Sequence, residues 1–210
     1  MDQRRWLALC GVVAALLIPV AFTAVAGKTP NEKASGAEVV SFYRDHLNAN
    51  RVAALMVTIA AVLLVLFAVR LWEVLRGDQL GAAVFPLAAF GGALITSTGL
   101  LLGAVVHFAL VQTADQQFTA AAQTLNVLDN NDFFAIVGGL AVLFLAAGIA
   151  TVRRPVLPRW LGWAAIVIGI LCLGGPIGFA GALLGLIWIL VVAILMLVRQ
   201  DLVAVVGTSA

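Results

Sequence analysis

Charged residues are scarce in this chain of 210 residues. Asp, Glu, Lys and Arg make up 10% of it and hydrophobic residues 63%, whereas a soluble domain is about one quarter charged and about half apolar. The composition therefore predicts that lipid is the solvent of the chain. The formal net charge is only +2 and the basic residues are scattered, which excludes the clustered basic face of a nucleic-acid-binding protein.

Sequence motifs of enzymes are also missing. The chain contains no G-x-S-x-G, Walker or Rossmann pattern, and neither of its two histidines has the H-E-x-x-H spacing of a zinc site. Its two cysteines, Cys10 and Cys172, are expected at depths that differ by most of the bilayer, whereas a disulfide needs Cα atoms within about 7 Å. We therefore expect free thiols and no cofactor, and a non-catalytic protein is favoured over an enzyme.

Long apolar runs are, by contrast, abundant. A helix rises about 1.5 Å per residue and the hydrocarbon core of a bilayer is about 30 Å thick, so one crossing takes about 20 residues. The runs predict an all-α fold, a polytopic transmembrane helix bundle that forms one domain over residues 1–210. Its six predicted spans cover residues 6–26, 52–72, 83–106, 133–152, 157–173 and 177–198. Their interiors carry no charge, which disfavours ion-coupled transport, because intramembrane charges mark ion pathways.

Two of these assignments depend on particular sequence features. The last apolar run is divided by Gly174-Gly175-Pro176, since Gly permits a turn and Pro interrupts a helix. The first run follows Arg4-Arg5 and ends in Ala24-Val25-Ala26, which also resembles a secretory signal with its cleavage site. The run is longer than a usual signal core, which favours a retained helix, and cleavage would leave five spans with unchanged orientation.

Basic residues lie mainly at one set of span ends. Eight of the twelve do so, namely Arg4, Arg5, Arg70, Arg76, Arg153, Arg154, Arg159 and Arg199. Cytoplasmic loops retain positive charge, and four of the five Trp residues lie at the same ends, where their rings prefer the headgroup level. We therefore expect a multi-pass protein of the cell inner (plasma) membrane with the N-terminus and C-terminus both cytoplasmic. Arg outnumbers Lys ten to two, which is typical of a GC-rich bacterial sequence.

Two long connections fall on the opposite, outer side. The first contains Ser35-Gly36-Ala37-Glu38, the S-x-x-E spacing of a capping box, before an amphipathic segment over residues 36–49. This segment is predicted to be helical, and packing over the bundle is favoured over lying on the membrane surface. The second connection, about 108–131, is rich in Gln, Thr, Ala and Asn and is predicted to be a loop. Asp or Asn at its end can cap the next span.

Candidate functional residues are few. His46, His107, Asp129 and Asp132 lie on the outer side, where a mixed His and carboxylate cluster could bind a divalent cation. The favoured alternative is that these side chains are solvated charges or helix caps. Thr96-Ser97-Thr98 is the most polar stretch within a span and a candidate cavity lining, although such hydroxyls more often bond to their own or a neighbouring helix.

Glycine spacing predicts how the helices pack. Gly99-x-x-x-Gly103 and Gly181-x-x-x-Gly185 each place two small residues on one helical face. Such faces let two backbones approach closely in lipid. Whether they meet within one chain or between protomers stays open at this point.

The junction before the fifth span reads Pro155-Val156-Leu157-Pro158-Arg159-Trp160-Leu161-Gly162-Trp163. It resembles a recurring feature of uncharacterised bacterial six-helix integral membrane proteins, a domain-of-unknown-function group. In physical terms, Pro158 stops the preceding segment, Arg159 anchors inside and the Trp pair sets the interfacial depth. The resemblance implies the order of spans and carries no activity or site residues.

Three classes of function fit these features. The favoured one is a non-catalytic partner subunit or scaffold, whose partners are the lipid bilayer and either other membrane proteins or a second copy. The second is a passive permeation protein for small molecules or lipids, with its cavity near Thr96 to Thr98. The third is a membrane enzyme with an outer-surface His and Asp site.

Overall fold

The computed structural model describes residues 3–77 and 83–199, and both ranges are largely helical. The remainder of the predicted 1–210 domain lies outside the described residues. The α-helices of the described ranges are α1 (Gln3–Val20), α2 (Gly36–Asp45), α3 (Leu47–Arg76), α4 (Val84–Asp115), α5 (Thr119–Asp129), α6 (Phe133–Arg153), α7 (Arg159–Cys172) and α8 (Gly178–Val198). A π-helix, Ala21–Val25, continues α1, and a 3₁₀-helix, Gly175–Ile177, precedes α8. The all-α prediction is confirmed for this part of the chain.

Among the described residues, five helical segments are long and apolar enough to cross a membrane, and they contain α1, α3, α4, α6 and α8. α7 has 14 residues, which at about 1.5 Å per residue gives about 21 Å, less than the hydrocarbon core of about 30 Å. The predicted span over 157–173 begins too early, because the helix starts after Pro158, at Arg159. That this segment crosses the membrane stays a prediction.

α4 lies between α3 and α6 and packs extensively on both. Glycine makes the approach of α4 and α6 close, since a Cβ atom on Gly92 would overlap the backbone of Leu143, and one on Gly139 would overlap Thr96. α1 packs on α3 and α8, while α7 packs on α6 and α8. Small residues thus allow these helices to pack closely. Close packing matters in lipid, because burial of apolar surface does not drive helices together there.

Both predicted G-x-x-x-G faces meet other helices of the same chain. Gly99 and Gly103 face the start of α6, Gly181 faces the end of α7, and Gly185 faces the middle of α6. The question of whether these faces pack within the chain or between protomers is thereby answered for these four glycines. They hold the bundle itself together.

The two cysteines lie on different helices. Cys10 lies on α1, and Cys172 is the last residue of α7. Both are free and buried. The expectation of free thiols is confirmed.

The predicted amphipathic segment is a helix that packs over the bundle. Its capping box is present, because the backbone N–H of Ser35 donates to the Glu38 carboxylate (2.8 Å) and the Ser35 hydroxyl accepts from the Glu38 N–H (3.3 Å). Val39 and Tyr43 of α2 are fully buried against α4 and α5. The predicted end at residue 49 is wrong, since α2 ends at Asp45 and the residues after His46 already belong to α3.

The second long connection is also helical, and the prediction of a loop over about 108–131 is wrong. α4 continues to Asp115, and α5 begins at Thr119 after a connection of three residues. The many Ala residues of the segment favour a helix, and α5 buries Ala122 and Asn126 on one face. α2 and α5 pack on each other and on α4, and the end of the bundle that they cover is here called the capped end.

Candidate functional site

A cavity of about 140 Å³ lies at the capped end, between the end of α1, the helices α3 and α4, and the turn from α5 to α6. Small residues of α3 and α4 form much of its wall, among them Ala53, Ala54 and Ala104. Three titratable side chains line it, His107, Asp129 and Asp132, and neither Lys nor Arg is among the described lining residues. We call it the polar cavity.

His107 is the centre of a hydrogen-bond network at this cavity. It sits in the last third of α4, and its Nδ1 atom lies 3.0 and 3.1 Å from the two carboxylate oxygens of Asp129, at the end of α5. Its Nε2 atom lies 3.2 Å from Oδ1 of Asn50 in α3. Three helices are therefore joined through one imidazole, and the side chains of His107 and Asp129 are only 14% and 15% exposed.

The His107 ring faces an oxygen atom on each side. Asn50 donates its Nδ2–H to the carbonyl oxygen of His46 at 3.0 Å, so its Oδ1 atom faces His107 as an acceptor. The Asp129 carboxylate is likewise an acceptor. Both ring nitrogens of His107 therefore lie at hydrogen-bond distance from protein oxygens. A metal ion or a substrate could use either nitrogen only if one of these two contacts were broken.

Tyr43 packs behind this pair from α2. Its ring meets the His107 ring edge to face, with centroids 5.7 Å apart. The Tyr43 side chain is fully buried, and its hydroxyl has no hydrogen-bond partner of good geometry, although the Thr29 side chain lies near enough to favour the anion. Burial, and next the negative charge of Asp129, raise the pKa of Tyr43 far above its usual value.

Asp132 is the remaining ionisable group of the polar cavity. It is the N-cap residue of α6, but its side chain makes no capping hydrogen bond, so the predicted capping role is wrong for this side chain. The carboxylate instead lies against Gly103 of α4, where a Cβ atom would overlap it. No hydrogen bond or ion pair joins it to another described side chain. Because the Asp132 carboxylate does not cap α6, its oxygen atoms are available to a molecule in the cavity.

The chain segment that leads from the π-helix to α2 forms part of the wall of the polar cavity. Asn126 of α5 donates its Nδ2–H to the carbonyl of Asn31 at 2.9 Å. Asn130 donates to the carbonyl of Pro30 at 3.2 Å. These amides hold the segment in place, and Thr29, one of its residues, lines the cavity.

A second, apolar cavity of about 200 Å³ lies below the first, between α1, α4, α6 and α8. Four residues line both cavities, Phe22, Leu100, Asp132 and Ile136. Apart from Asp132 and two threonines, Thr23 and Thr96, its lining is entirely apolar. The two cavities are therefore neighbouring parts of one site, with the carboxylate of Asp132 at their junction.

The apolar cavity reaches the exposed surface of the bundle between α1 and α8. Phe22, Phe179 and Leu183 line it and are 53%, 59% and 45% exposed. On the α1 side, Pro19 has no N–H to continue the helix ladder, and the next turns form the π-helix. π-Helical turns frequently occur at functional sites, and this one places Phe22 on both cavities.

The sequence-predicted candidates separate into two groups. His107, Asp129 and Asp132 come together, whereas His46 is exposed, hydrogen-bonded through Nδ1 to the carbonyl of Phe42, and lines neither cavity. Among the described residues no group of three or more His, Cys, Asp or Glu side chains is arranged to hold a metal ion.

The three hydroxyl-bearing candidates of α4 also differ in their surroundings. Thr96 lines the apolar cavity, and its hydroxyl donates to the carbonyl of Gly92 one turn back. Thr98 is exposed and bonds to its own helix in the same way. Ser97 is buried with no partner for its hydroxyl, and it lines neither cavity. One of the three hydroxyls is thus placed where a ligand could reach it.

Sequence reasoning missed Asn50 and Phe22. Asn50 is one of two asparagines before an apolar run, and its completely buried position on α3 follows from the helix starting at Leu47. In the sequence, Phe22 is not distinguished from the other apolar residues of its span. Pro19 could have indicated an irregular helix at this point, since a proline inside a helix interrupts its hydrogen bonds.

No protein-family model, curated protein or solved structure matches this chain.

Proposed function

We propose that this chain is a multi-pass protein of the bacterial inner membrane that binds one amphiphilic molecule, with its polar head in the polar cavity and its hydrocarbon tail in the apolar cavity. Six spans, both termini cytoplasmic and the capped end outside form the proposed topology, which the distribution of Arg and Lys supports. The bound molecule then comes from the outer leaflet. Membership of the bacterial six-helix group suggested by the junction at 155–163 is part of the same proposal.

The observation that carries the proposal is the shared lining of the two cavities. A polar space and an apolar space meet at Asp132, and four side chains belong to both. A ligand site is usually a concave, mainly apolar pocket with a few fixed polar groups. The fixed polar groups here are the His107, Asp129 and Asp132 side chains, all at one end.

The size and the exit of the site fit an amphiphile. An apolar cavity of about 150 Å³ is large enough to hold benzene, so 200 Å³ accommodates part of a hydrocarbon chain. Each methylene group moved from water to an apolar site contributes about 0.8 kcal/mol, but a tail already in lipid gains little from transfer. Selectivity for the bound molecule must therefore come from its polar head. The part of the tail that does not fit in the cavity can extend between Phe22 and Phe179 into the surrounding lipid.

A pair of variants on α8 tests the proposal. Ala182→Phe fills the apolar cavity, whereas Ala180→Phe adds the same ring to an exposed position two residues earlier that lines neither cavity. We expect native mass spectrometry of the full chain from its membrane to show one retained lipid-sized adduct. Ala182→Phe should abolish that adduct and Ala180→Phe should keep it. Equal adducts in both variants, or none in the unaltered chain, would contradict the proposal.

The two other classes of function have less support from the geometry. An outer-surface enzyme built on the predicted His and Asp residues is less favoured, because His46 lines neither cavity and both nitrogens of His107 are hydrogen-bonded to Asn50 and Asp129. The scaffold or partner-subunit hypothesis stays a prediction, and it is compatible with a protein that also binds a lipid.

A further inference from the structure

Building on the amphiphile-binding function above, we propose that the head group of the bound molecule carries a positive charge, as the ammonium group of a membrane lipid does. The evidence is the charge of the polar cavity and the position of Asp132 within it.

The charges of the polar cavity do not cancel. Its titratable lining side chains are His107, Asp129 and Asp132. His107 is paired with Asp129 at 3.0 Å, so two carboxylates face at most one positive charge in this cavity. Asp132 has neither a hydrogen bond nor an ion pair with a basic side chain among the described residues. The nearest basic residue along α3, Arg51, is paired instead with Asp115 at 3.2 Å.

Asp132 is also fixed where a ligand head would meet it. Gly103 leaves room for the carboxylate between α4 and α6, and the side chain does not turn back to cap α6. An anion that is partly withdrawn from water and has no partner is unfavourable. An ammonium group at the junction of the cavities would offset this with charge-assisted hydrogen bonds to the carboxylate.

An aromatic ring lies on the same junction. Phe22 lines both cavities, as Asp132 does. Cations are attracted to the face of an aromatic ring within about 6 Å of its centre. A phosphate or carboxylate head beside Asp132 would instead add a second negative charge, and like charges at close range repel.

The test compares three single-chain probes of equal chain length on the purified full chain in a neutral maltoside detergent. The probes are dodecylamine, which is a cation at neutral pH, dodecanoate and dodecanol. Native mass spectrometry measures the fraction of protein that retains each probe. We expect dodecylamine to be retained at least about tenfold more strongly than the other two, a factor that corresponds to about 1.4 kcal/mol.

Two carboxylate variants complete the test. Asp132→Asn keeps the shape of the side chain and should remove the preference for dodecylamine, while Asp45→Asn, an exposed acid at the end of α2, should leave it unchanged. Equal retention of all three probes by the unaltered chain, together with loss of all three in Ala182→Phe, would overturn the cationic head and leave the amphiphile site standing. Retention that is insensitive to Ala182→Phe would overturn the amphiphile site itself. An equal effect of the two Asn variants would show a general surface-charge effect and overturn the role of Asp132.

Discussion

The carboxylate of Asp132 lies in the space that a side chain on Gly103 would occupy. Gly103 belongs to α4, and Asp132 directly precedes α6. Because Gly103 has no Cβ atom, the Asp132 carboxylate can lie against α4. The same glycine therefore lets two helices pack closely and leaves room for the Asp132 carboxylate.

Gly103→Ala tests this relationship. The added methyl group must displace the Asp132 carboxylate, and we expect retention of the cationic probe to fall by about tenfold, equivalent to about 1.4 kcal/mol. Stability should change little, because the displaced atom is the end of a side chain and Ala is the better helix former by about 1 kcal/mol. Gly91→Ala on the same helix is the matched control, since nothing lies within 4 Å of its added Cβ atom, and it should retain the probe fully.

The hydrogen bonds around His107 give a second prediction. Asn50→Leu removes the side-chain partner of the His107 Nε2 atom and the side-chain donor to the carbonyl of His46. Leaving a buried donor unsatisfied costs about 1–3 kcal/mol, and we expect the unfolding midpoint in detergent to fall accordingly. Asn48→Leu, at an exposed position of the same helix, controls for the change of residue type. Equal midpoints for the two variants would show that the network contributes nothing measurable.

Much of this architecture could be predicted from the sequence, and the reasons for the exceptions are physical. Apolar length located five helices that can cross a membrane, and the S-x-x-E pattern located α2. α5 was missed because its buried residues, Ala122 and Asn126, are small or polar while the larger Val127 and Leu128 are exposed, so the order of apolar and polar residues does not indicate which face packs. Three of the four outer candidates converge at the polar cavity, but their partner Asn50 depends on a helix start that no sequence signal gave.

The glycine on α8 gives a third prediction. A Cβ atom on Gly185 would overlap the ring of Phe144, a fully buried residue of α6. Gly185→Leu should therefore separate α6 from α8 and destabilise the bundle by about 1–3 kcal/mol, the usual cost of overpacking. Gly138→Leu, with open space around its added Cβ atom, should leave the thermal midpoint and the size of the particle in detergent almost unchanged. An unaltered midpoint for Gly185→Leu would show that this contact does not hold the helices.

Tyr43 is the one tyrosine of the chain, so its ionisation can be followed by the absorbance of tyrosinate. Burial and the charge of Asp129 raise its pKa in the folded state, whereas an unfolded tyrosine ionises near a pKa of about 10. The folded state therefore holds this proton more tightly. The resulting stabilisation is complete below about pH 10 and is lost as pH rises from there towards the higher folded pKa. We expect tyrosinate to appear only as the protein unfolds.

Tyr43→Phe separates this group from other alkaline titrations. The variant keeps the ring against His107 and removes a buried hydroxyl that has no good partner, so stability at neutral pH should hold or rise. Its unfolding midpoint should fall less steeply than that of the unaltered chain above about pH 10. Tyrosinate forming in the folded protein near the usual pKa would contradict the burial argument.

The proposed topology is tested by cysteine labelling. In a background in which the two buried cysteines, Cys10 and Cys172, are replaced by Ala, Lys33→Cys lies just before α2 at the capped end and Arg154→Cys lies just after α6 at the other end. An impermeant thiol reagent added to intact cells should modify the first and not the second, because basic residues near span ends stay in the cytoplasm. Both should react after the membrane is permeabilised. The reverse pattern would place the capped end and its ligand in the cytoplasm, and the source of the amphiphile would then be the inner leaflet.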